Sequence, residues 1–277
     1  MTTILSDELN NLKIGVVGCG HLGQALVELF LTHGWSKDAL YLSYHGNPAT
    51  YQQLKEKGWA DCISDNDQLV READLIFVTV RPVDMVDLMA LPIPQKTVVV
   101  SCAAGATGKT LEAIFNRKVS RMMVSGPDTL LAGKGVAALY PNEPLVGSLL
   151  KKLGLAFVQI TSESDINVLT AGVCLPGILL ACSDEGEIKS AIAEMAQDYP
   201  WFSGLYVWAK EVLPVNLSKT EQQAYLAKMI TTGGVTEAIM TSLKSGDDLL
   251  RALRHGIKRS QAIAEEVNQL LTVRRQM

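Results

Sequence analysis

Apolar residues follow two different rhythms along this chain. Up to about residue 161, short apolar runs alternate with amphipathic stretches. Residues 13–17 predict a strand, 21–33 a helix, 39–43 a strand and 49–57 a helix. Residues 61–63 read as a short strand and 66–72 as a short helix. The runs at 75–80 and 97–102 are apolar on both sides, as strands covered on both faces require. Helices are expected after them at 83–91 and 110–116, and further strands at 121–125, 135–140 and 157–160. Strand alternating with helix implies right-handed crossovers and a mostly parallel, doubly wound sheet.

Past residue 161 the apolar positions recur at helical spacing, as in Ile188, Ala191, Ile192 and Met195, or Leu249, Leu250, Leu253 and Ile257. Ser164, Ser218 and Ser245 are expected as N-caps. The run 168–182, interrupted by Gly172, Pro176 and Gly177, reads as a buried or kinked helix, too short to cross a bilayer. The expected division is a first domain of residues 1–161 and an all-helical domain of residues 162–277. A helical domain of this size, rich in Leu, Ala and Ile, is expected to bury its apolar faces against a second copy, giving a homodimer or a higher homo-oligomer.

One turn carries most of the chemistry. Gly18-Cys19-Gly20-His21-Leu22-Gly23 joins the first predicted strand to the first predicted helix. In a Gly-x-Gly-x-x-Gly turn the first glycine permits the bend, the second lets a pyrophosphate approach the backbone, and the third lets helix and strand pack closely. The helix start supplies free N–H groups and partial positive charge. A dinucleotide cofactor is therefore expected on Gly18, Gly20, His21, Leu22 and Gly23. At the end of the second strand, Ser43, Tyr44, His45 and Asn47 stand with no acid to take the ribose hydroxyls of NAD. Ser43 and Asn47 would accommodate a 2′-phosphate, which favours NADP over NAD.

Three further segments fall at strand ends or helix starts. Val80-Arg81-Pro82 closes one apolar strand, where ligands sit in such sheets. Ala103-Ala104-Gly105-Ala106-Thr107-Gly108-Lys109-Thr110 fits a relaxed phosphate-loop pattern. It is read as a connection near the nicotinamide end of the cofactor, because the first crossover already holds a phosphate-binding turn. Thr231-Thr232-Gly233-Gly234-Val235-Thr236 breaks the helical half. A Gly pair before a helix offers N–H groups to a carboxylate, and threonine hydroxyls can donate to an imine or an oxyanion.

Composition narrows the reading. The 277 residues are 48% hydrophobic and 19% charged, with a net charge of −4, which gives no electrostatic footprint for nucleic acid or a membrane surface. The five cysteines, Cys19, Cys62, Cys102, Cys174 and Cys182, show neither paired spacing nor histidine partners. No metal site and no disulfide framework are expected, which fits a cytoplasmic protein. The first twelve residues lack a basic n-region with a long apolar core and do not read as a signal peptide.

These motifs, in this order, resemble pyrroline-5-carboxylate reductase. The resemblance runs from Lys13 to about Ser260. It rests on Gly18 to Gly23, Val80-Arg81-Pro82 and Ser101-Cys102-Ala103-Ala104-Gly105. Weaker anchors are Arg121-Met122-Met123, Gly133-Lys134-Gly135, Glu163, Gly233-Gly234-Val235-Thr236 and Arg259-Ser260. It implies a Rossmann-like cofactor domain followed by a helical dimerisation domain. It implies that Gly233 and Gly234 hold the substrate carboxylate, that Thr231 or Thr232 stands for a family serine, and that Thr236 orients the ring nitrogen. Two departures stand out. Ser125 occupies the region of a family asparagine beside the cofactor, and Val235 replaces the first threonine after the Gly pair.

The activity so implied is NAD(P)H-dependent reduction of a cyclic imine, 1-pyrroline-5-carboxylate to proline. Such chemistry needs positioning more than a strong nucleophile. Two other readings stay open. One is a related imine or keto-acid reductase whose pocket is reshaped by Trp201, Trp208 or Tyr225. The other is a dinucleotide-binding sensor or interaction protein without catalysis.

Overall fold

The computed structural model describes residues 9–44, 46–89, 91–214 and 217–276. The chain divides into two compact units. One runs to Val158 and takes in the residues from Val267 onward, and the other is Gln159–Glu266.

The first unit is a seven-stranded sheet in the order β2-β1-β3-β4-β5-β6-β7. The strands are β1 (Ile14–Val17), β2 (Leu40–Ser43), β3 (Leu75–Val78), β4 (Val98–Ser101), β5 (Ser120–Val124), β6 (Val136–Tyr140) and β7 (Ala156–Val158). Strands β1 to β5 pair in parallel, β6 runs antiparallel to β5, and β7 is parallel to β6. Its helices are α1 (His21–Thr32), α2 (Pro48–Glu56), α3 (Asn66–Glu72), α4 (Gly108–Phe115), α5 (Pro127–Leu131) and α6 (Pro144–Lys152).

The central strands β1, β3 and β4 are apolar up to Ser101 at the end of β4, because each is covered twice. Ile14, Val16, Leu75, Phe77 and Val100 point into one cluster with Leu26, Phe30 and Leu149. Val17, Ile76, Val78 and Val99 point the other way, onto Leu69, Val70, Leu111 and Ile114. Period-two alternation between two buried faces is what a doubly wound sheet demands. Leu271, from the far end of the chain, joins the second cluster.

Two expected elements take another form. Residues 61–63 are not a strand: Ala60–Cys62 is a 3₁₀ turn, and a single bridge from Ile63 to Leu42 is all the pairing that forms. Residues 83–91 are not an α-helix either, since Pro82–Leu88 winds as a 3₁₀ helix. The third strand ends at Val78, before Thr79 and Val80.

The second unit holds α7 (Asp165–Gly172), α8 (Leu175–Ala181), α9 (Glu185–Asp198), α10 (Phe202–Val212), α11 (Lys219–Met229), α12 (Val235–Lys244) and most of α13 (Leu249–Gln276). The run 168–182 is two helices, broken at Val173-Cys174 before Pro176 at the second position of α8. Ser218 caps α11 with a reciprocal bond to Glu221. Ser164 sits at the start of α7 without a side-chain cap bond, because its backbone is already helical and its hydroxyl bonds that of Ser162 at 2.7 Å. Ser245 ends α12 rather than starting a helix. Gly172 lets Leu205 and Phe202 press against α7, and Gly256 lets Ile239 of α12 lie close to α13.

Candidate functional site

The parallel strands of the first unit bring most of the expected cofactor residues to one edge. Gly18 follows β1, Ser43 ends β2, Val80 follows β3, Ala103 follows β4 and Ser125 follows β5. Strand order reverses between β1 and β3, and in open α/β sheets that switch point is where ligands bind.

The turn after β1 is held rigidly. Gly18 has φ of +90°, the left-handed region that favours glycine. A Cβ there would lie 2.5 Å from Val80 Cγ1 and 2.9 Å from the Val80 nitrogen. The N–H groups of Gly18 and Cys19 both donate to the Ser43 carbonyl, at 3.1 and 2.7 Å. The Thr79 hydroxyl donates to the Gly18 carbonyl at 2.8 Å. A Cβ on Gly23 would come within 2.9 Å of the Gly18 oxygen and of Thr79 Oγ1, so the third glycine is needed for close packing. Gly20 differs from both. It is exposed, caps α1 and has nothing within 4 Å of where a Cβ would stand. An open cradle at a helix start, walled by two crowded glycines, fits a dinucleotide pyrophosphate. His21 is exposed and Leu22 half-buried beside it.

The remaining expected residues differ in what they have free. Asn47 is exposed and caps α2, its Oδ1 accepting from Ala49 and Thr50 at 2.9 and 3.2 Å, which leaves its amide group to donate. His45 lies outside the described residues, as do the first eight residues of the amino-terminal segment. Arg81 is exposed and pairs with Asp84 through Nε at 2.9 Å, and this contact raises the guanidinium above its usual range. Pro82 begins the 3₁₀ helix. Ser125 is buried, with its hydroxyl bonded to Thr129 at 2.7 Å and accepting from the Val136 N–H at 3.0 Å, so it ties β5 to β6.

Ala103, Ala104 and Gly105 form a loop fixed by a residue that local sequence does not point to. Asn268, near the end of α13, donates to the Gly105 carbonyl at 3.0 Å and accepts from the Thr107 N–H at 3.2 Å and hydroxyl at 3.1 Å. The Thr107 amide is thereby engaged by the chain's own Asn268. Asn268 gives no signal in the sequence because it is 161 residues away from Thr107. Thr79 does give one, as a polar residue inside an apolar run.

In the second unit the Gly pair sits at the start of α12, with Gly234 as the cap. Its N–H groups are already engaged. Gly233 donates to Glu237 Oε2 at 2.7 Å, and Gly234 donates to the Thr231 carbonyl at 2.8 Å. Arg259 Nε donates to the Gly233 carbonyl at 2.6 Å, while its NH1 bonds Glu266 at 2.7 Å. Thr231 and Thr232 are exposed. Thr236 is buried and its hydroxyl bonds the Cys174 thiol at 3.2 Å, so it faces the interior of the bundle. A groove of about 400 Å³ runs along α12 and α13, lined by Gly233, Glu237, Thr241, Asp247, His255 and Arg259 among others. Trp201, Trp208 and Tyr225 do not line it: Trp208 is buried, and Trp201 packs on Tyr199 and Phe202. Glu237 was detectable as an acid three residues after a glycine cap, a position from which it reaches back to the backbone N–H just before the cap.

Among the described residues no strong nucleophile emerges. Burial pushes the thiols of Cys19 and Cys102 up to about 12 and that of Cys174 up to about 11. Among the described residues no three His, Cys, Asp or Glu side chains gather as a metal site, and no helix is long and apolar enough to cross a membrane.

The chain is similar to several known proteins. Residues 13–105 match a family described as NADP oxidoreductase, coenzyme F420-dependent. Pyrroline-5-carboxylate reductase 2 of Bacillus subtilis (strain 168) is 22% identical over 244 residues, covering 87% of this chain and 81% of that protein. Pyrroline-5-carboxylate reductase of Escherichia coli (strain K12) is 27% identical over 135 residues, and the chain spans about half of it, 49%. The crystal structure of 1-pyrroline-5-carboxylate reductase from Streptococcus pyogenes superposes with a TM-score of 0.58 at 17% identity, covering 93% of this chain and 99% of that one. The first unit has a Rossmann-like fold, and the chain is similar in sequence and in fold to pyrroline-5-carboxylate reductases.

Proposed function

We propose that this protein reduces a small cyclic imine with NADPH, as a reductase whose substrate site differs from that of its pyrroline-5-carboxylate relatives. The carrying observation is the open cradle at Gly20, braced by Gly18, Thr79 and Val80. It occurs in a chain similar over 87% of its length to a pyrroline-5-carboxylate reductase. The bound nicotinamide supplies a hydride. The chain's own part is to hold the dinucleotide on Gly18 to Gly23, and its 2′-phosphate near Ser43 and Asn47. Val80 to Pro82 and Ala103 to Gly105 flank the rest of the cofactor. The helical unit receives the substrate. A protonated imine is electrophilic without a catalytic nucleophile, and the elevated thiols are consistent with that.

The substrate residues carry a different weight than the resemblance gives them. With Thr236 bonded to Cys174, its role on this reading is to shape the bundle beneath the Gly pair. Thr241, exposed in the groove, is the hydroxyl available to a ligand. The engaged Gly233 and Gly234 amides favour a changed pocket over proline synthesis itself. All five cysteines are free thiols, which supports a reducing cytoplasm, and the helical unit is read as the dimerisation element.

The test is oxidation of NADPH and NADH by purified protein against a panel of cyclic imines and 2-oxo acids. Imine-dependent oxidation with NADPH preferred is the expected result. Turnover of 2-oxo acids alone would move the reading to a keto-acid reductase. Tight NADPH binding without turnover of either class would leave a sensor.

A further inference from the structure

The start of α12 offers a carboxylate ligand very little. Both glycine amides are engaged, one of them by the chain's own Glu237 carboxylate at 2.7 Å. Arg259 bonds the Gly233 carbonyl and faces Glu266 with both terminal nitrogens, at 2.7 and 3.4 Å. The groove that opens from Gly233 carries a second acid, Asp247, held by the Ser242 hydroxyl at 2.7 Å. Its other polar lining consists of hydroxyls, His255 and the paired Arg259. Its volume of about 400 Å³ lies in the range of small-molecule sites.

Resting on the imine-reductase reading, we propose that Glu237 makes this site select a cyclic imine that bears no carboxylate and binds as its cation. Glu237 stands three residues after the helix cap, where the N-terminal dipole favours an anion and the Gly233 N–H donates to it. A ligand carboxylate would have to displace it or lie beside it as a like charge. A protonated imine meets the opposite situation, because a carboxylate within a few ångströms favours the charged form. The step balances with the groups already named. The C=N carbon accepts a hydride, the C=N π pair moves to nitrogen, which already carries its proton, and the products are a neutral secondary amine and the oxidised dinucleotide.

Two probes share one ring and differ only in the carboxylate: 1-pyrroline and 1-pyrroline-5-carboxylate. Wild-type protein should reduce 1-pyrroline with kcat/KM at least about tenfold higher, the order expected of a like-charge contact at the protein surface. Glu237→Ala should narrow that ratio by about tenfold, and Glu237→Gln, which keeps the bond to Gly233 without the charge, should narrow it as well. Thermal shift with NADP⁺ gives a second readout on the product analogues: pyrrolidine should stabilise wild type and proline should not. A wild-type preference for the carboxylate, or a ratio unmoved in both variants, overturns the proposal. Should neither imine be turned over, the reductase reading fails, and the binding arm still decides. Pyrrolidine favoured over proline in wild type but not in Glu237→Ala supports the assignment of Glu237, and no discrimination overturns it.

Discussion

Gly18 and Gly20 are the same residue type two positions apart, and their surroundings predict opposite outcomes for one substitution. Gly18→Ala meets Val80 in a backbone conformation that alanine rarely adopts, so it should lower the melting temperature by several degrees, on the order of 1–3 kcal/mol. Gly20→Ala meets nothing within 4 Å and should melt close to wild type, while its methyl group enters the cradle and weakens NADPH binding about tenfold. Calorimetric titration and thermal melts of the two variants check this. Equal effects on both readouts would remove the cradle. Asn47→Asp separates cofactors in the same way. Aspartate caps a helix as well as asparagine does, so α2 is preserved. The new charge should weaken NADPH about tenfold and leave NADH unchanged or tighter, and an unchanged NADPH affinity would take Asn47 out of the 2′-phosphate site. At this scale the sequence was readable wherever a residue's role is local. Gly18 makes the bend and Gly23 the close packing that their spacing implied, and Gly20 leaves open space beside it. The partner of the Thr236 hydroxyl could not be read the same way, because it depends on which helix packs beneath it, and Cys174 lies 62 positions away.

Elements behave differently, because their ends are set by side chains that local patterns do reveal and their partners by contacts they do not. Asn66–Glu72 was legible as a helix and Ser218 as a cap, whereas Ser164 and Ser245, expected on the same ground, make no N-cap bond. The 3₁₀ turns at Ala60–Cys62 and Pro82–Leu88 were not, since three or four apolar residues fit a strand, a helix or a tight turn equally. The end of α13 is the clearest example of a partner hidden from sequence. Asn268→Ala removes three hydrogen bonds to Gly105 and Thr107, each contributing about 0.5–1.5 kcal/mol. Faster amide exchange across residues 103–107 and weaker dinucleotide binding are expected. Unchanged exchange there would show that the loop holds itself. Helix α7 makes a prediction about pH. Burial resists the charge on Asp165, but the N–H and hydroxyl groups of Thr161 and Ser162 outweigh it and hold the carboxyl below its usual value. A carboxyl lowered in the folded state stabilises fully above its unfolded value of about 4 and loses that contribution as pH falls through the folded value. The melting-temperature gap between wild type and Asp165→Asn should therefore be widest at neutral pH and close in acid, and a gap constant with pH would contradict it.

The whole molecule was legible where the physics is repetitive. Strands covered twice must be apolar, strand-helix alternation must wind a parallel sheet, and helical spacing after residue 161 must give helices. The antiparallel β6 and the return of the last residues to the first unit were not, because each depends on contacts far apart in sequence. Helix α11 has no buried residue, although it carries Tyr225, Leu226 and Met229, and Val207 of α10 is 56% exposed. Light scattering should therefore give a mass of at least twice the 30.0 kDa chain, and a monomer at micromolar concentration would contradict the dimerisation reading. The central claim is that a hydride passes from NADPH to the carbon of a cyclic imine. Its most direct test uses NADPH deuterated at both C4 positions, with 1-pyrroline as acceptor and mass spectrometry of the amine formed. One deuterium on the ring carbon of pyrrolidine is the predicted result. Unlabelled amine, or no amine from any cyclic imine by a protein that binds NADPH tightly, would contradict it.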